Sequence, residues 1–417
     1  MIEIIQPGIL ASVQDLGREG YRSLGVGVSG AMDRLALRIA NVLVGNAENA
    51  AGIETTLGGF LCRFDMGCLF AVTGACSEIR LDEQLVPAWC VVSARAGQVL
   101  EVASPRVGMR GYIAFAGGID VPVVMGSRAT DLKGNFGGNL GRPLRQGDRL
   151  ELFSTGCSSN QAREFGVSIQ NAGLELDEDV TPVRMIPAAE WNEYSDETQR
   201  MFLATNWIVD QVSNRVGYRL AGPSLKSGNL AELLSHGILP GTIQLPPSGQ
   251  PVVQMSDANT CGGYPKLGVV IEADLSKLGQ VQLGEAVCFT LVTPNQALCA
   301  LRAERALVSL VSALSALATG DSERSQVVGT SCAETETQIV SAPANGILHW
   351  QNQNQYDVAT MVAEGDVVKR GQLLCYLSVG ILLLPIRSPA SGKIEKLMGK
   401  DHEHIATGTP VVSLRMH

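Results

Sequence analysis

The sequence predicts a mainly β chain with some α-helix, divided into two or three domains. Three observations carry this. Glycine is abundant, 46 of 417 residues, while aromatic residues make up only 5%. That balance suits short strands joined by tight turns. Short apolar runs such as Leu69–Gly74 and Ser77–Leu81 are separated by turn residues, and few stretches keep a helical period. The C-terminal region repeats itself: Ser341–Leu348 is echoed by Arg387–Ile394, and Gly365–Leu374 more faintly by His404–Val412. The length fits two or three domains.

Taken in order, residues 1–155 read as a β-rich block. Asp82-Glu83-Gln84 marks a hairpin tip. One helix interrupts it: Asp33 can cap its start, Leu35, Ile39 and Leu43 share a face, and Gly45-Asn46 can end it. Residues 156–292 open with a polar connector and continue as a second β-rich block with a helix around Glu197–Ala204. A long Ala- and Leu-rich helix occupies 293–318, with Leu301, Leu307, Val308, Val311 and Leu314 on its apolar face. Residues 319–338 are rich in Gly, Ser, Thr and Glu and read as a flexible linker. The repeat fills 339–417.

The net charge of −9, with no basic cluster, argues against nucleic acid and anionic membrane as partners. No apolar run approaches a membrane span. The strand-like Ile2–Ile5 at the N-terminus leaves no signal peptide, which predicts a cytoplasmic protein. The ten cysteines lie at irregular spacing with no Cys-x-x-Cys pair, so reduced, mostly buried thiols are expected rather than a structural zinc site. Four of the five histidines lie beyond residue 340, and no metal centre is expected.

Reactive side chains are densest in the second block. If Asn214–Arg219 is extended, Arg215 and Arg219 fall on one face, a pairing suited to a carboxylate, bicarbonate or phosphate. Surface charge on a strand explains the same spacing. Glu232–Gly237 adds an acid, Glu232, a hydroxyl, and His236, the only histidine of the main body. Gln254–Pro265 follows a strand. It supplies Gln254, Asp257 as a base or acceptor, and Gly262-Gly263-Tyr264, where backbone amides can approach a ligand closely. A hairpin turn uses the same glycines. Cys261 has no histidine near it in sequence to activate it.

In the first block, Ser29 precedes the helix, whose N-terminal amides can bind an anion, although capping alone accounts for Asp33. Gly25–Gly30 matches Gly-x-Gly-x-x-Gly without the strand before it or the βαβ unit after it. Lys133 borders the Gly-rich run Gly134–Gly141 and can meet a carboxylate or phosphate. No Gly-x-x-x-x-Gly-Lys-Ser/Thr loop occurs, so this chain is not expected to bind ATP in a standard nucleotide loop.

The stretches Val13–Arg18, Ser29–Asp33, Ala114–Ile119, Asn214–Arg219, Glu232–Gly237 and Gly262–Pro265 together resemble the biotin-dependent carboxyltransferase family. This family includes KipA, allophanate hydrolase subunit 2, the C subunit of 5-oxoprolinase and part of urea amidolyase. The resemblance spans residues 1–292. It implies two cyclophilin-like β-barrel subdomains, the long helix, and a separately encoded KipI-like partner, with a LamB/YcsF-like chain as a further one. The repeat resembles a biotinyl/lipoyl-like β-sandwich, in which a hairpin between the halves presents a lysine. Matching Pro385–Pro389 to the strand after that hairpin puts Ile381 at the acceptor position, so no covalent biotin or lipoate is expected on this chain.

The resemblance implies a subunit of an ATP-dependent 5-oxoprolinase-type complex, converting 5-oxoproline to glutamate, with ATP used by the complex. Asp257, His236 and Glu232 would move protons. Asn214, Arg215, Arg219, Gln254, Gly262, Gly263, Tyr264, Lys133 and Ser29 would bind the amide or lactam substrate. One alternative is a carboxyltransferase acting on urea or a related amide, with biotin on a partner chain. Another is a non-catalytic, KipA-type antagonist of a KipI-like kinase inhibitor.

Overall fold

A computed structural model describes residues 1–154, 165–172, 179–227, 233–320, 337–351 and 361–416. Glu232 and residues 321–336 of the expected linker lie outside the described residues.

In the first block, strands alternate between two antiparallel sheets that enclose one core. One sheet has six strands, in the order Arg149–Leu150, Ile2–Pro7, Phe60–Phe64, Val99–Val102, Ile79–Leu81, Gln84–Leu85. The other has five, in the order Leu10–Gln14, Gly52–Thr56, Val107–Phe115, Cys68–Cys76, Val91–Ala94. Phe60, Phe64, Phe70 and Phe115 fill the space between them, and burying such rings is the main force closing the sheets. Leu81 pairs with Gln84, so the turn is Asp82-Glu83. The helix Arg34–Leu43 lies across this block, and the Asp33 carboxylate accepts from the Ala36 amide at 2.9 Å.

The second block is a closed barrel of seven strands. Its order is Val180–Pro187, Lys266–Val270, Thr242–Gln244, Val252–Gln254, Gly217–Ala221, Trp207–Val209, Ala286–Leu291. The last strand closes against the first in parallel; the other pairs are antiparallel. Trp207, Phe202, Tyr218 and Phe289 form its core, with Phe202 stacked on Phe289 at 5.0 Å. The helix Asp196–Ala204 is capped by Ser195. A further helix, Glu272–Gln280, was not expected from sequence; it follows a strand directly and has no side-chain cap.

The long helix runs from Pro294 to Gly320 and packs on the first helix. Val308 and Val311 enter the first core, with Leu307 against it. Arg38 donates to Glu304 at 3.1 Å, and the Ser315 hydroxyl donates to the Val42 carbonyl at 3.1 Å.

The C-terminal region is two small sheets facing each other. Thr337–Ser341, Pro410–Met416, Gly392–Leu397 and Val367–Val368 form one. Gly346–His349, Leu373–Val379, Leu382–Arg387 and His404–Ile405 form the other, which is extended at its edge by Gly166–Val167 from the body. The two repeats thus contribute alternately to one sandwich. Gly380 and Ile381 make the two-residue turn between paired Val379 and Leu382. Gly380 has φ +60°, the left-handed value that the first central position of a tight hairpin turn requires. No helix among the described residues is long and apolar enough to cross a membrane.

Candidate functional site

Two polar clusters lie on the second barrel and differ in how fully their hydrogen-bonding capacity is used. The first is at the seam between the blocks. Arg215 is 4% exposed. Its guanidinium donates to both oxygens of Asp257, at 2.9 and 3.0 Å, to the Gly30 carbonyl at 2.7 Å, and to Glu54. The other Glu54 oxygen accepts from the Tyr112 hydroxyl at 2.8 Å and the Met32 amide at 2.9 Å. Beside it, Arg110 donates to the Tyr218 hydroxyl at 2.6 Å and to the Gly279 carbonyl. Gln280 accepts from the amides of Met109 and Arg110 and donates to Asp33 at 2.7 Å.

Burial alone would depress the Arg215 guanidinium, but Asp257 and Glu54 outweigh it and hold its pKa above the ordinary arginine value. Burial raises the Tyr112 phenol well above its usual range, with Glu54 adding to the effect. Arg110 keeps one buried nitrogen, Nε, without a hydrogen bond; otherwise a charged network this deep and this closely paired holds the two blocks in register.

This corrects the sequence expectation. Arg215 and Arg219 do not share a face, because the strand begins only at Gly217. Arg219 is exposed on that strand, and Asn214 is an exposed turn residue that accepts from the Val216 amide. Arg215 and Asp257 are hydrogen-bonded to each other. The protein's own packing requires glycine at positions 262 and 263. A Cβ on Gly262 would lie 2.6 Å from the Gln244 amide nitrogen, and one on Gly263 would lie 2.7 Å from the Leu233 carbonyl.

Along the same seam, some groups keep hydrogen-bonding capacity, although Arg18 Nη1 lies 3.8 Å from Asp131 as an ion pair. Ser29 is 4% exposed with φ +54°, and its hydroxyl has no hydrogen-bond partner. Arg18 donates through one nitrogen to the Ala129 carbonyl at 2.6 Å and stacks over Phe136 at 4.6 Å, but its Nε and Nη1 make no hydrogen bond. Burial lowers the Arg18 pKa against the pull of Asp131, Asp15 and Asp257. Lys133 crosses the seam to Asn259.

The second cluster is at the barrel's end. His236 stands opposite Gly262 on a short two-stranded sheet. Its Nδ1 lies 2.9 Å from the Leu234 carbonyl. A carbonyl can only accept, so Nδ1 carries the proton and Nε2 is the acceptor. The Lys266 ammonium donates to that Nε2 and, at 2.5 Å, to Glu190. The second oxygen of Glu190 and the hydroxyl of Tyr194 are both buried and make no hydrogen bond. Burial raises the Tyr194 pKa, with Glu190 adding to it. Gln254 donates to Gln244 at 3.0 Å nearby, and Tyr264 stands partly exposed beside them. A base, an ammonium and a carboxylate in hydrogen-bonded series can bind an anion and move a proton.

Of the residues in this second cluster, sequence reasoning had named His236, Gln254 and Tyr264 as candidates. It missed Lys266, although Lys266 directly follows the Gly262–Pro265 stretch. It also missed Glu190, Tyr194 and Glu54. Arg18 lay inside a noted motif without a role.

The fold and the seam define a carboxyltransferase-domain protein with a carrier-like tail. Residues 24–291 match the family described as carboxyltransferase domain, subdomain A and B, and residues 340–414 match the family described as biotin-requiring enzyme. The chain belongs to the carboxyltransferase domain family. It is 44% identical over 298 residues to the C subunit of 5-oxoprolinase from Escherichia coli, covering 72% of this chain and 93% of that one. It is 33% identical over 313 residues to urea amidolyase of Saccharomyces cerevisiae, covering 69% of this chain but only 16% of that one. Among solved structures, TTHA0988 aligns with TM-score 0.62 and 29% identity over 69% of this chain, which spans 55% of TTHA0988. The urea carboxylase of Kluyveromyces lactis shares the fold over 91% of this chain and 32% of its own, with TM-score 0.69 and 24% identity.

Proposed function

We propose that this chain is a subunit of an ATP-dependent 5-oxoprolinase-type complex in the cytoplasm. It acts with KipI-like and LamB/YcsF-like partner chains to open 5-oxoproline to glutamate. The observation that carries this reading is the near full-length match of the body to the C subunit of 5-oxoprolinase.

The chemistry asks for few groups. The ring C–N amide bond breaks, a C–O bond to water-derived oxygen forms, and the amine leaves with a proton. ATP supplies the activation of the amide carbonyl. In this reading Lys266 receives the substrate carboxylate. Its ammonium already holds one carboxylate, and swinging from His236 frees the imidazole Nε2 to take a proton. Glu190 keeps the ammonium in place. Arg18, Ser29 and Lys133 provide further donors at the seam for an anionic group.

The test is to co-purify the chain with its KipI-like and LamB/YcsF-like partners and measure ATP hydrolysis with 5-oxoproline, urea and allophanate. Hydrolysis that depends on 5-oxoproline is expected. Dependence on urea with biotin on another chain would replace this reading with the carboxyltransferase one, which the urea amidolyase match favours. Partner binding without any turnover would leave the KipA-type regulatory reading.

A further inference from the structure

The tail's hairpin is built into the body. Val167 pairs with Leu382 and Gly166 with Leu383 in antiparallel register. The Ser168 amide donates to the Ile381 carbonyl at 2.8 Å. On its other side this short strand is tied to the first block: Val167 donates to the Trp89 carbonyl at 2.9 Å, and Val91 donates to the Phe165 carbonyl at 2.8 Å. Residues 165–168 therefore bridge the body's sheet edge and the tail.

Side chains follow the same path. Phe165, Val167 and Ile169 are buried in the first core, and Ile381, Leu382 and Leu384 pack against that core from the tail. Leu383 is fully buried with Cys90 of the body and Tyr376 of the tail. Leu384 touches both the first core and the tail's own core.

From this we infer that Trp89–Val91 and residues 165–169 form a docking surface for a carrier-type hairpin, that the chain's own tail fills it in cis, and that Ile381 is an apolar anchor at the turn position where a carrier presents its acceptor. The two properties compete: Ile381 is half-buried at the turn, so a lysine there would turn its ammonium out to water and cover the apolar side chains beneath it less completely. Added backbone pairing supplies the affinity, and the alternate side chains supply the fit. The tail acts as a fixed part of the body's wall, closing a sheet edge that would otherwise be open to pairing. This inference does not depend on which reaction the complex performs.

The experiment is hydrogen exchange on the full chain, comparing wild type with Ile381→Lys, Ile381→Leu and Ser168→Pro. Ser168→Pro deletes a docking hydrogen bond from the body's side and leaves the tail's sequence intact. In wild type and Ile381→Leu, the amides of Ser168 and Leu383, on the two sides of the docked ladder, should be protected. In Ile381→Lys, both should exchange roughly 3- to 10-fold faster, less than a fully buried aliphatic side chain would give because Ile381 is half-buried. Ser168→Pro should speed Leu383 alike. The amides of Leu377 and Val412, inside the tail's sheets, should stay protected in every variant, which separates undocking from unfolding. Fast exchange at Ser168 in wild type would overturn the fixed dock. Unchanged protection in both Ile381→Lys and Ser168→Pro would overturn the anchoring. Protection that rises with protein concentration, alongside dimers in light scattering, would overturn docking in cis and assign the hairpin to a second copy.

Discussion

Arg215 and Lys266 are both cations held by carboxylates on the same barrel, yet they are placed for different tasks. Arg215 is buried, with Asp257, Glu54 and the Gly30 carbonyl sharing its donors. Each of its three nitrogens already donates within the protein. Lys266 keeps 15% of its side chain exposed and sits among groups with spare capacity, the free oxygen of Glu190 and the hydroxyl of Tyr194. A saturated cluster specifies how parts fit together. An unsaturated one retains the capacity to bind something else. Residue type alone does not separate them; the count of unmade hydrogen bonds does.

The comparison breaks most readily at Arg215. Replacing it with methionine leaves Glu54 and Asp257 buried without their cation, which should cost about 3–5 kcal/mol. Urea denaturation of the purified chain would show it as a lowered midpoint. A change below about 0.5 kcal/mol would mean the seam network does not hold the blocks together. Lys266→Met and His236→Asn should act mainly on turnover. Substrate-dependent ATP hydrolysis by the complex should fall about 10²- to 10⁴-fold, while the stability loss stays below that of Arg215→Met: about 1–3 kcal/mol for Lys266→Met, which strips the cation from buried Glu190, and less for His236→Asn. Loss of stability with retained turnover would place Lys266 with Arg215 as a structural cation.

Glu304 offers an intermediate case at the contact between the first and the long helix. Burial raises its pKa to about 7, even though Arg38 pulls it down. The folded state therefore holds this proton more tightly than the unfolded chain, whose carboxyl titrates near 4.5. The stabilisation is complete below the unfolded value and is lost as pH rises through about 7. Glu304→Gln should flatten this fall, which is worth about 1–2 kcal/mol after allowance for solvent screening. Thermal melts of both chains between pH 5 and 8 would test the sign. A wild type that gains stability relative to Glu304→Gln on going from pH 5 to 8 would show that the ion pair with Arg38 outweighs burial.

The fold was legible where one local pattern decides the outcome. Asp33, Leu35, Ile39 and Leu43 announce their helix, and Asp82-Glu83 announces a turn. The helix Glu272–Gln280 was hidden because it carries few apolar residues, Leu275 and Leu278 among them, and lacks a capping side chain. The candidate site was legible only in part, for a topological reason. Glu190 and Lys266 are 76 positions apart, and Arg215 and Glu54 are 161 apart. Barrel closure and block docking bring these pairs together, and no spacing in the sequence records that. Reading Arg215 and Arg219 as a pair failed because extended geometry was assumed before the strand starts at Gly217.

The smallest effect is expected at Asp33, where capping and the seam meet. Its carboxylate accepts from the Ala36 amide with one oxygen and from the Gln280 side chain with the other. Burial raises its pKa, with those hydrogen bonds opposing the rise. Asparagine could keep the cap, since it serves helix N-termini as well as aspartate does. It has only one acceptor oxygen, however, so its amide nitrogen would face the Gln280 nitrogen. Gln280 cannot turn over to relieve this, because its oxygen is held by the amides of Met109 and Arg110. Asp33→Asn should therefore cost about 1 kcal/mol, one buried hydrogen bond. Asp33→Ala should cost about 2 kcal/mol by losing the cap as well. If both cost the same, the cap contributes nothing; if Asp33→Asn costs nothing, the seam bond contributes nothing and Gln280 is anchored by the first block's backbone alone.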